Sequence, residues 1–329
     1  MNLRTTETLL LALALVMATA SGLQAQAAEP DGAPEGALFL LLPVGAEGVS
    51  MGRAMTWIES PEASFWNPAG LAGIQRSQAL VFRGDHPVGD ATAVSALFAR
   101  PGLGTMGASY FLQDVGEIDQ TDEFGNYTGR ITIRNHLGIV SGATRLASRL
   151  DLGLSLKLVR FQFSCRGICA NEGTTATTWA VDAGVQGRPM ERLRVGAMVA
   201  HLGPDLQVLN AEQSDPLPAR IRVAAAYNVV AAITDTEELQ GWLAFEVQDR
   251  LKALGSLSYY LGAELTAGQI DALSVRSGYV WSDLPSEDGG RVGLGLRYER
   301  FDLAIAKSLA VSPLPDETDA VHVTFSIGF

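Results

Sequence analysis

The chain contains two cysteines and four histidines, the residue types best suited to redox or metal chemistry. Cys165 and Cys169 enclose three residues, whereas redox-active pairs normally enclose two. In an oxidising compartment this spacing predicts a disulfide that closes a surface loop. A metal site would need further ligands, and the histidines are scattered along the sequence, at His86, His136, His201 and His322. We therefore predict neither a metal site nor a bound cofactor.

Catalytic motifs are equally absent from the sequence. It has no nucleophilic serine elbow, no HExxH zinc motif and no phosphate-binding loop, and Gly293 and Gly295 lie inside a predicted strand. A protease or lipase site assembled from His201, His322 and acidic side chains is the one catalytic alternative left open. The sequence favours a protein that is not an enzyme.

The composition restricts the class of protein. Hydrophobic residues make up 47% of the 329 residues, charged residues make up 18%, and the formal net charge is −12. These values are inconsistent with disorder and with a charge-rich coiled coil. An acidic chain lacks the basic surface that nucleic acids require, so we expect no nucleic-acid partner.

Residues 1–27 have the pattern of an export signal. Arg4 supplies a positive charge, residues 9–20 are apolar, and residues 25–27 (Ala-Gln-Ala) fit the cleavage pattern. The apolar run is shorter than the roughly 20 residues of a spanning helix. We predict a cleaved signal peptide at 1–27, followed by a periplasmic linker rich in Pro and Gly at 28–37.

From residue 78 onward, apolar residues alternate with small or polar ones, which predicts β-strands. The last segment is an example, since Val321, Val323 and Phe325 alternate with His322 and Thr324. About 14 such segments follow one another, each longer than the usual strand of a soluble protein and long enough to cross a membrane when tilted. They lie near 78–85, 91–100, 104–114, 131–145, 149–163, 175–187, 192–203, 218–229, 240–248, 256–267, 271–282, 289–299, 301–310 and 318–329.

A membrane barrel accounts for this pattern. All backbone groups in hydrocarbon must be paired, so a membrane-spanning sheet has to close on itself. The connections alternate between short turns and longer loops, as in outer-membrane barrels, except for the long connection 230–239. A soluble β-sandwich, the alternative, predicts shorter strands and fewer Gly, Ser and Ala residues on the polar faces. The predicted fold class is all-β, a transmembrane antiparallel β-barrel of about 14 strands at 78–329.

Charges of both signs occupy the faces opposite the apolar ones. An ion-selective pore would show an excess of one sign, whereas balanced charges suit ion pairs that hold a plug in a narrow lumen. The basic members of this predicted lumen charge network are Lys157, Arg194, Arg220, Arg222, Arg276 and Arg297. Its acidic members are Asp151, Asp182, Glu246, Glu264, Glu299 and Asp302.

Residues 38–77 do not alternate. Their high content of Gly and Ala lets backbone segments pack closely, which predicts a small looped or helical plug inside the barrel. Asn67 followed by Pro68 predicts the start of a turn or helix, with Asn67 as the cap and Pro68 as the first helical residue.

Two stretches of this segment resemble a known family. The LPVGAxxxxMG run that begins at Leu42 and the SFWNPAGLA run that begins at Ser64 are similar to the N-terminal signature of the PorV/PorQ family of outer-membrane proteins. That family belongs to the wider FadL-like group of barrels, and NPAGLA is shared with FadL-type fatty-acid transporters. The residues of this plug motif are Pro43, Gly45, Gly48, Met51, Gly52, Trp66, Asn67, Pro68 and Gly70.

The resemblance implies a role in protein export. The best-known PorV/PorQ branch carries substrates of the type IX secretion system, which implies exported cargo proteins and a secretion translocon as partners. The alternative is a FadL-like channel for hydrophobic small molecules, with an apolar pocket between plug and barrel near Phe65, Trp66, Phe111 and Tyr260. A purely structural outer-membrane protein is a third hypothesis.

The C-terminus is similar to the signal by which outer-membrane barrels are passed to their insertion machinery. The chain ends in Phe329, and apolar residues including Phe325 alternate before it. This resemblance implies the barrel-assembly machinery and outer-membrane lipid as partners, and the outer membrane of a Gram-negative-type cell as the location.

Overall fold

The computed structural model describes residues 35–86, 89–100, 102–169, 173–208, 214–234, 236, 238–283, 287–309 and 320–329. The predicted signal peptide and residues 28–34 of the predicted linker lie outside these ranges. Within them, no helix has both the length and the apolarity needed to cross a membrane.

Among the described residues, fourteen strands form a closed antiparallel barrel, which confirms the predicted fold class. Each barrel strand pairs with the barrel strands before and after it in the chain, and the first pairs with the last to close the sheet. The small strands β8 (Leu206–Gln207) and β9 (Ser214–Asp215) form a separate hairpin between β7 and β10. The barrel strands are β1 (Gln78–His86), β2 (Gly89–Arg100), β3 (Gly104–Thr121), β4 (Tyr127–Ala147), β5 (Leu150–Gly167), β6 (Gly173–Met190), β7 (Leu193–Leu202), β10 (Arg220–Asn228), β11 (Leu239–Arg250), β12 (Ser258–Ala267), β13 (Ala272–Trp281), β14 (Gly289–Tyr298), β15 (Phe301–Ser308) and β16 (Val321–Gly328).

The two ends of the barrel differ. β1 begins and β16 finishes at one end, which we call the terminal end, and the turns there are mostly short. The opposite end, here the loop end, carries the connections 87–88, 122–126, 168–172, 203–219, 251–257, 282–288 and 309–320. The long connection 229–238 lies at the terminal end, where Val230 packs beside Gly241.

Strands β3 to β6 extend well past the predicted segments at the loop end, and we call them the tall wall. β4 has 21 residues, whereas β10 has 9. The prediction was too short because the upper parts of these strands carry charged residues on their outward faces instead of apolar ones. β3 also contains a register shift between Asp114 and Glu117, with Gly116 at a φ of 88°, which breaks the alternation.

The outward faces are apolar and are bordered by aromatic rows. Leu154, Leu156 and Leu158 of β5 are all more than half exposed, as expected for side chains that face lipid. Toward the loop end the apolar band finishes in the exposed aromatic residues Tyr110, Trp179, Tyr259, Tyr279 and Trp281. Toward the terminal end it finishes in Phe98, Tyr227, Tyr298 and Phe329. Paired aromatic girdles of this kind mark the two membrane interfaces of outer-membrane barrels.

The N-terminal segment lies inside the barrel. It contains a short helix α1 (Ala46–Ser50) and three 3₁₀ helices, Leu38–Leu41, Pro61–Ser64 and Pro68–Gly73. Asn67 caps the last of these by accepting the N–H of Ala69, and Pro68 is its first residue, which confirms the predicted helix start. Of the predicted linker, residues 35–37 are described, and they contact the barrel wall and its loops at the loop end.

Candidate functional site

One sector of the lumen wall is apolar. The inward faces of β1 to β6 carry aliphatic and aromatic side chains that are buried against one another. Because the inner face of a water-filled barrel is polar, this apolar compartment is a specific property of the lumen. Its wall residues are Leu80, Phe82, Ala91, Ala93, Phe111, Leu137, Ile139, Val159, Ala176 and Ala180.

Residues 35–44, which we call the strap, fill the apolar compartment. Phe39, Leu40 and Val44 are buried in the same cluster as the wall residues. Leu206 and Leu217 of connection 203–219 reach into this cluster from the loop end. Burial of an apolar side chain of this size contributes about 1.5–3 kcal/mol, so the strap is held largely by hydrophobic contact.

A buried ion pair fixes the start of the strap at the loop end. The Nη1 and Nη2 groups of Arg220 donate to the two carboxylate oxygens of Glu35 at 2.6 and 2.7 Å. The N–H of Gly36 donates to the carbonyl of Pro216 at 2.9 Å. Arg220 is only 2% exposed. Removal of the strap would therefore leave a buried guanidinium without its acidic partner, which is costly.

Glu62 fixes helix α1 to the barrel wall. Its carboxylate accepts the N–H groups of Glu47 and Gly48 at 3.2 and 2.9 Å and the hydroxyl of Thr324 at 2.8 Å. Thr324, on β16, in turn accepts the N–H of Ala46 at 2.8 Å. Burial, together with the neighbouring charge of Glu47, raises the pKa of Glu62 to about 7. The carboxyl group of Glu62 is therefore partly protonated at neutral pH.

Thr56 is the second anchor of the plug. Its N–H and hydroxyl groups donate to the buried carboxylate of Glu246 at 2.9 and 2.7 Å. Its carbonyl accepts from the amide nitrogens of Asn67 and Gln186 at 2.7 and 3.0 Å. Arg222 lies 3.7 Å from Glu246 and balances its charge. One backbone unit of the plug is thus bonded to two strands of the wall, β6 and β11.

Trp66 joins the plug to the strap. Its indole N–H donates to the carbonyl of Val44 at 2.8 Å. The guanidinium of Arg222 lies over the rings of Trp66 and Tyr260, at 5.2 and 5.8 Å from their centroids. These distances are within the range of cation–π attraction, so a wall residue holds the ring in place.

Inward-facing glycines let the plug backbone touch the wall. A Cβ atom at Gly153 would overlap the backbone of Pro68 and Ala69, and one at Gly184 would overlap the side-chain oxygen of Asn67. Any larger residue at these positions would therefore push the plug away. The glycines of this girdle are Gly153, Gly184, Gly196, Gly262, Gly278 and Gly293.

Charged groups connect the plug to the wall at the terminal end. Glu59 forms an ion pair with Arg188 and lies 3.4 Å from Arg145 and 3.6 Å from Arg194. Asp151 accepts hydrogen bonds from Arg145 at 2.8 Å and from Arg188 at 2.7 Å. The lumen is thus charged beside the terminal end, and the apolar compartment lies nearer the loop end, next to the buried Glu35–Arg220 pair. An apolar molecule would be favoured only in the second region.

A smaller polar group lies beneath helix α1. Arg276 donates to Glu264 at 2.5 Å and lies 3.3 Å from Glu47. The predicted partner Arg297 pairs with Asp302 at 3.2 Å, but both side chains are largely exposed at the mouth of the lumen. Glu299 was expected to face inward, and this was wrong, because β14 ends at Tyr298 and residue 299 belongs to the turn.

Lys157 and Asp182 form an ion pair inside the wall of β5 and β6, and both are almost fully buried. The backbone N–H of His201 donates to Asp182 at 2.8 Å. The ring Nδ1 atom of His201 lies 3.2 Å from the Lys157 ammonium. His201 has a φ of 60°, at a register shift between β6 and β7. The ion pair therefore stabilises a bulge in the wall.

The structure separates the aromatic residues expected around one pocket into two clusters. Phe111 belongs to the apolar compartment, whereas Trp66 and Tyr260 pack with Met51 and other plug residues. Phe65 touches both clusters. Of the plug motif, Met51 and Trp66 belong to this second cluster, and Gly52, Asn67 and Pro68 lie against the glycine girdle.

The remaining predicted site residues lie at the two ends of the barrel. Cys165 and Cys169 are joined by a disulfide at the loop end, with Cα atoms 6.2 Å apart. Phe325 faces outward, and the N–H of Phe329 donates to the carbonyl of Ser77 at 2.9 Å. Recognition of the C-terminus by an assembly machinery stays a prediction. In the described ranges, no group of three His, Cys, Asp or Glu residues is arranged to hold a metal ion.

The roles of the strap and of Glu62 were not predicted from the sequence. Phe39 and Leu40 lie in a conspicuous apolar run, but nothing local indicates which surface covers them. Arg53, beside the plug motif, has a φ of 68° and donates to Glu287 at 2.7 Å, a contact that the sequence gives no means to predict.

Comparison with known proteins identifies the fold. No protein-family model and no curated protein sequence matches the chain. Among solved structures, the CymD monoaromatic hydrocarbon channel superposes with a TM-score of 0.57 at 13% identity, covering 88% of this chain and 98% of CymD. The toluene transporter TodX of P. putida gives 0.56 at 12% identity, covering 85% and 98%. A FadL homologue of Pseudomonas aeruginosa gives 0.54 at 12% identity, covering 87% and 97%.

The fold is that of the FadL-type channels. The likeness is one of fold alone. None of these FadL-type neighbours points to the PorV/PorQ branch or to type IX secretion. At 12–13% identity, the likeness establishes the architecture of this chain. Its activity has to be argued from its own residues.

Proposed function

We propose that this protein is an outer-membrane channel for hydrophobic small molecules and that the apolar compartment is its binding site. The observation that carries the proposal is the apolar wall of β1 to β6, occupied by Phe39, Leu40 and Val44 of the protein itself. A wall of this kind offers a water-filled pore no advantage, but it suits an apolar ligand that replaces the strap. Two of the similar structures, named as a monoaromatic hydrocarbon channel and a toluene transporter, support this choice.

The aromatic rows support the proposed membrane location. They border an apolar outer band, and the short turns at the terminal end resemble periplasmic turns. In this orientation the apolar compartment lies toward the cell exterior, and the charged contacts of Glu59 lie toward the periplasm. A ligand from outside would meet the strap before it meets the plug.

Locking the strap tests the proposal. A Cβ atom at Gly36 would lie 2.7 Å from the Cβ of Asp215, so the double substitution Gly36→Cys and Asp215→Cys needs a separation of only about 1 Å more to form a disulfide. The probe is N-phenyl-1-naphthylamine, a hydrophobic dye that an intact outer membrane excludes. Cells that produce the unmodified protein should take up the dye faster than cells with an empty vector. The oxidised double variant should lose this gain, and a reductant should restore it.

The single variants G36C and D215C and the unmodified protein, each with and without reductant, are the controls. They account for the Cys165–Cys169 disulfide, which the reductant also opens. Dye uptake equal to that of the empty vector, or equal in the locked and unlocked forms, would overturn the proposal.

A second measurement distinguishes the channel from a role in protein export, which is the primary expectation from the PorV/PorQ resemblance. Affinity purification of the detergent-extracted protein should recover no secreted proteins with a shared C-terminal domain. If it recovers them and the strap lock leaves dye uptake unchanged, the export role replaces the channel.

A further inference from the structure

A polar surface lies directly above the loop-end aromatic row on the outside of the tall wall. Tyr110 and Trp179 border the apolar band there, on the row that also contains Gly138 and Leu158. Two residues further along the strands, the outward row contains Leu112, His136, Arg160 and Thr177. At about 3.3 Å per residue, this row lies roughly 7 Å beyond the aromatic side chains. That is the level of lipid headgroups.

The charges on this surface are divided between strands. All its acidic side chains in β3 have basic partners, since Asp114 accepts from Arg134 at 2.8 Å, and Glu117 and Asp119 both pair with Arg130. Arg160, on β5, is exposed, and no carboxylate contacts it among the residues that the structure describes. Arg166, further along β5, is exposed in the same way, so this surface carries two guanidinium groups whose charge no carboxylate of the described residues balances.

His136 lies between Arg160 and a groove on the outside of the barrel, since it pairs with Leu112 of the groove lining on its other side. His136 and Arg160 are directly paired across β4 and β5. The Nδ1 atom of His136 lies 2.7 Å from the hydroxyl of Tyr110, which fixes the ring at the edge of the aromatic row. Because the hairpin of β1 and β2 is short, a groove of about 350 Å³ opens beside the tall wall. Leu112, Asp114 and Arg134 are among the residues that line it.

We infer that this surface binds the headgroup of a phosphorylated glycolipid of the outer leaflet. Guanidinium groups bind phosphate in a bidentate geometry. Of the two unbalanced groups, Arg160 lies nearer the aromatic row, at the headgroup level. Paired carboxylate and guanidinium groups, such as Asp114 and Arg134, suit sugar hydroxyls, which both donate and accept hydrogen bonds. Leu112 places the groove against the apolar band, where acyl chains lie. The inference rests on the proposed outer-membrane location, and it does not depend on transport.

Native mass spectrometry of the full protein tests the inference. The detergent-solubilised barrel is titrated with diphosphorylated lipid A, and the bound fraction is compared with that of a dephosphorylated lipid A. The unmodified protein should prefer the phosphorylated form. R160Q should weaken its binding about tenfold or more, as expected for loss of a charge-assisted hydrogen bond, and R160K should retain part of it.

The matched control is R100Q, because Arg100 is exposed on the outward face at the opposite end of the barrel. It should bind lipid A as the unmodified protein does. Equal binding by R160Q and R100Q, or no preference for the phosphorylated lipid, would overturn the inference. Dye uptake should be the same in R160Q and the unmodified protein, so a failed channel proposal and a failed lipid site give different results.

Discussion

Replacing Gly153 with alanine should loosen the plug while the barrel remains closed. Gly153 faces inward on β5, and a Cβ atom there would lie 2.2 Å from the backbone nitrogen of Ala69 and 2.6 Å from the carbonyl oxygen of Pro68. Comfortable contact needs roughly 3.5 Å, so the turn at Pro68 has to retreat by about 1 Å. Overpacking of this kind costs about 1–3 kcal/mol. At about 1.4 kcal/mol per factor of ten, the population of unseated plug should rise about 5- to 150-fold.

Hydrogen exchange measured by mass spectrometry reads this change directly. Peptides that cover residues 62–74 should lose protection by that factor in G153A, whereas peptides from β12 to β14 should keep theirs. Gly142→Ala is the matched control. Gly142 lies on the adjacent strand β4 and faces outward, and a Cβ atom there meets no atom within 4 Å.

Two outcomes would refute the reasoning. Equal protection of the plug in G153A and G142A would show that the glycine girdle does not determine how closely the plug is seated. An equal loss of protection in plug and strands would show that the substitution weakens the whole barrel instead.

The other predictions concern buried charge. The raised pKa of Glu62 means that the folded plug binds a proton more tightly than the unfolded chain, so its stabilisation is complete below a pH of about 4.5 and is lost as the pH rises through about 7. The hydrogen-exchange rate of residues 62–74, corrected for its intrinsic pH dependence, should rise roughly tenfold between pH 6 and pH 8.5. In E62Q the corrected rate should not change over this interval. A pH dependence that persists in E62Q would contradict the assignment to Glu62. D182N leaves the Lys157 ammonium buried without its partner and should lower the free energy of unfolding by about 3–5 kcal/mol in a urea titration. R297Q, which breaks an exposed pair, should change the same quantity by less than about 1 kcal/mol, and equal losses in D182N and R297Q would argue against a role for burial.

The sequence was sufficient to predict the barrel because lipid contact acts on each strand separately. Leu154, Leu156 and Leu158 face hydrocarbon whatever the neighbouring strands contain, so their alternation is visible in any short window. The cap at Asn67 was equally accessible, since its hydrogen bond to Ala69 spans two residues. Local physical causes of this kind leave local patterns.

The candidate site was less predictable because its contacts join distant parts of the chain. Glu35 and Arg220 are 185 residues apart, and neither has a neighbour in sequence that indicates the other. Phe39 and Leu40 occupy a compartment that exists only when six strands are in register. The extra length of the tall wall was missed for a different reason, since residues such as Arg130 lie beyond the lipid and do not follow the apolar alternation.

The seam between β1 and β16 implies an order of assembly. The plug leads directly into β1, and β1 pairs with the final strand from Gln78 and Gly328 to Gly84 and His322. The wall of a cylinder closed by its first and last strands has no open edge, so a plug that arrived later would have to enter through one of its mouths. We expect instead that the plug is in place when the first and last strands pair. On this expectation the plug serves as the core around which the membrane wall closes.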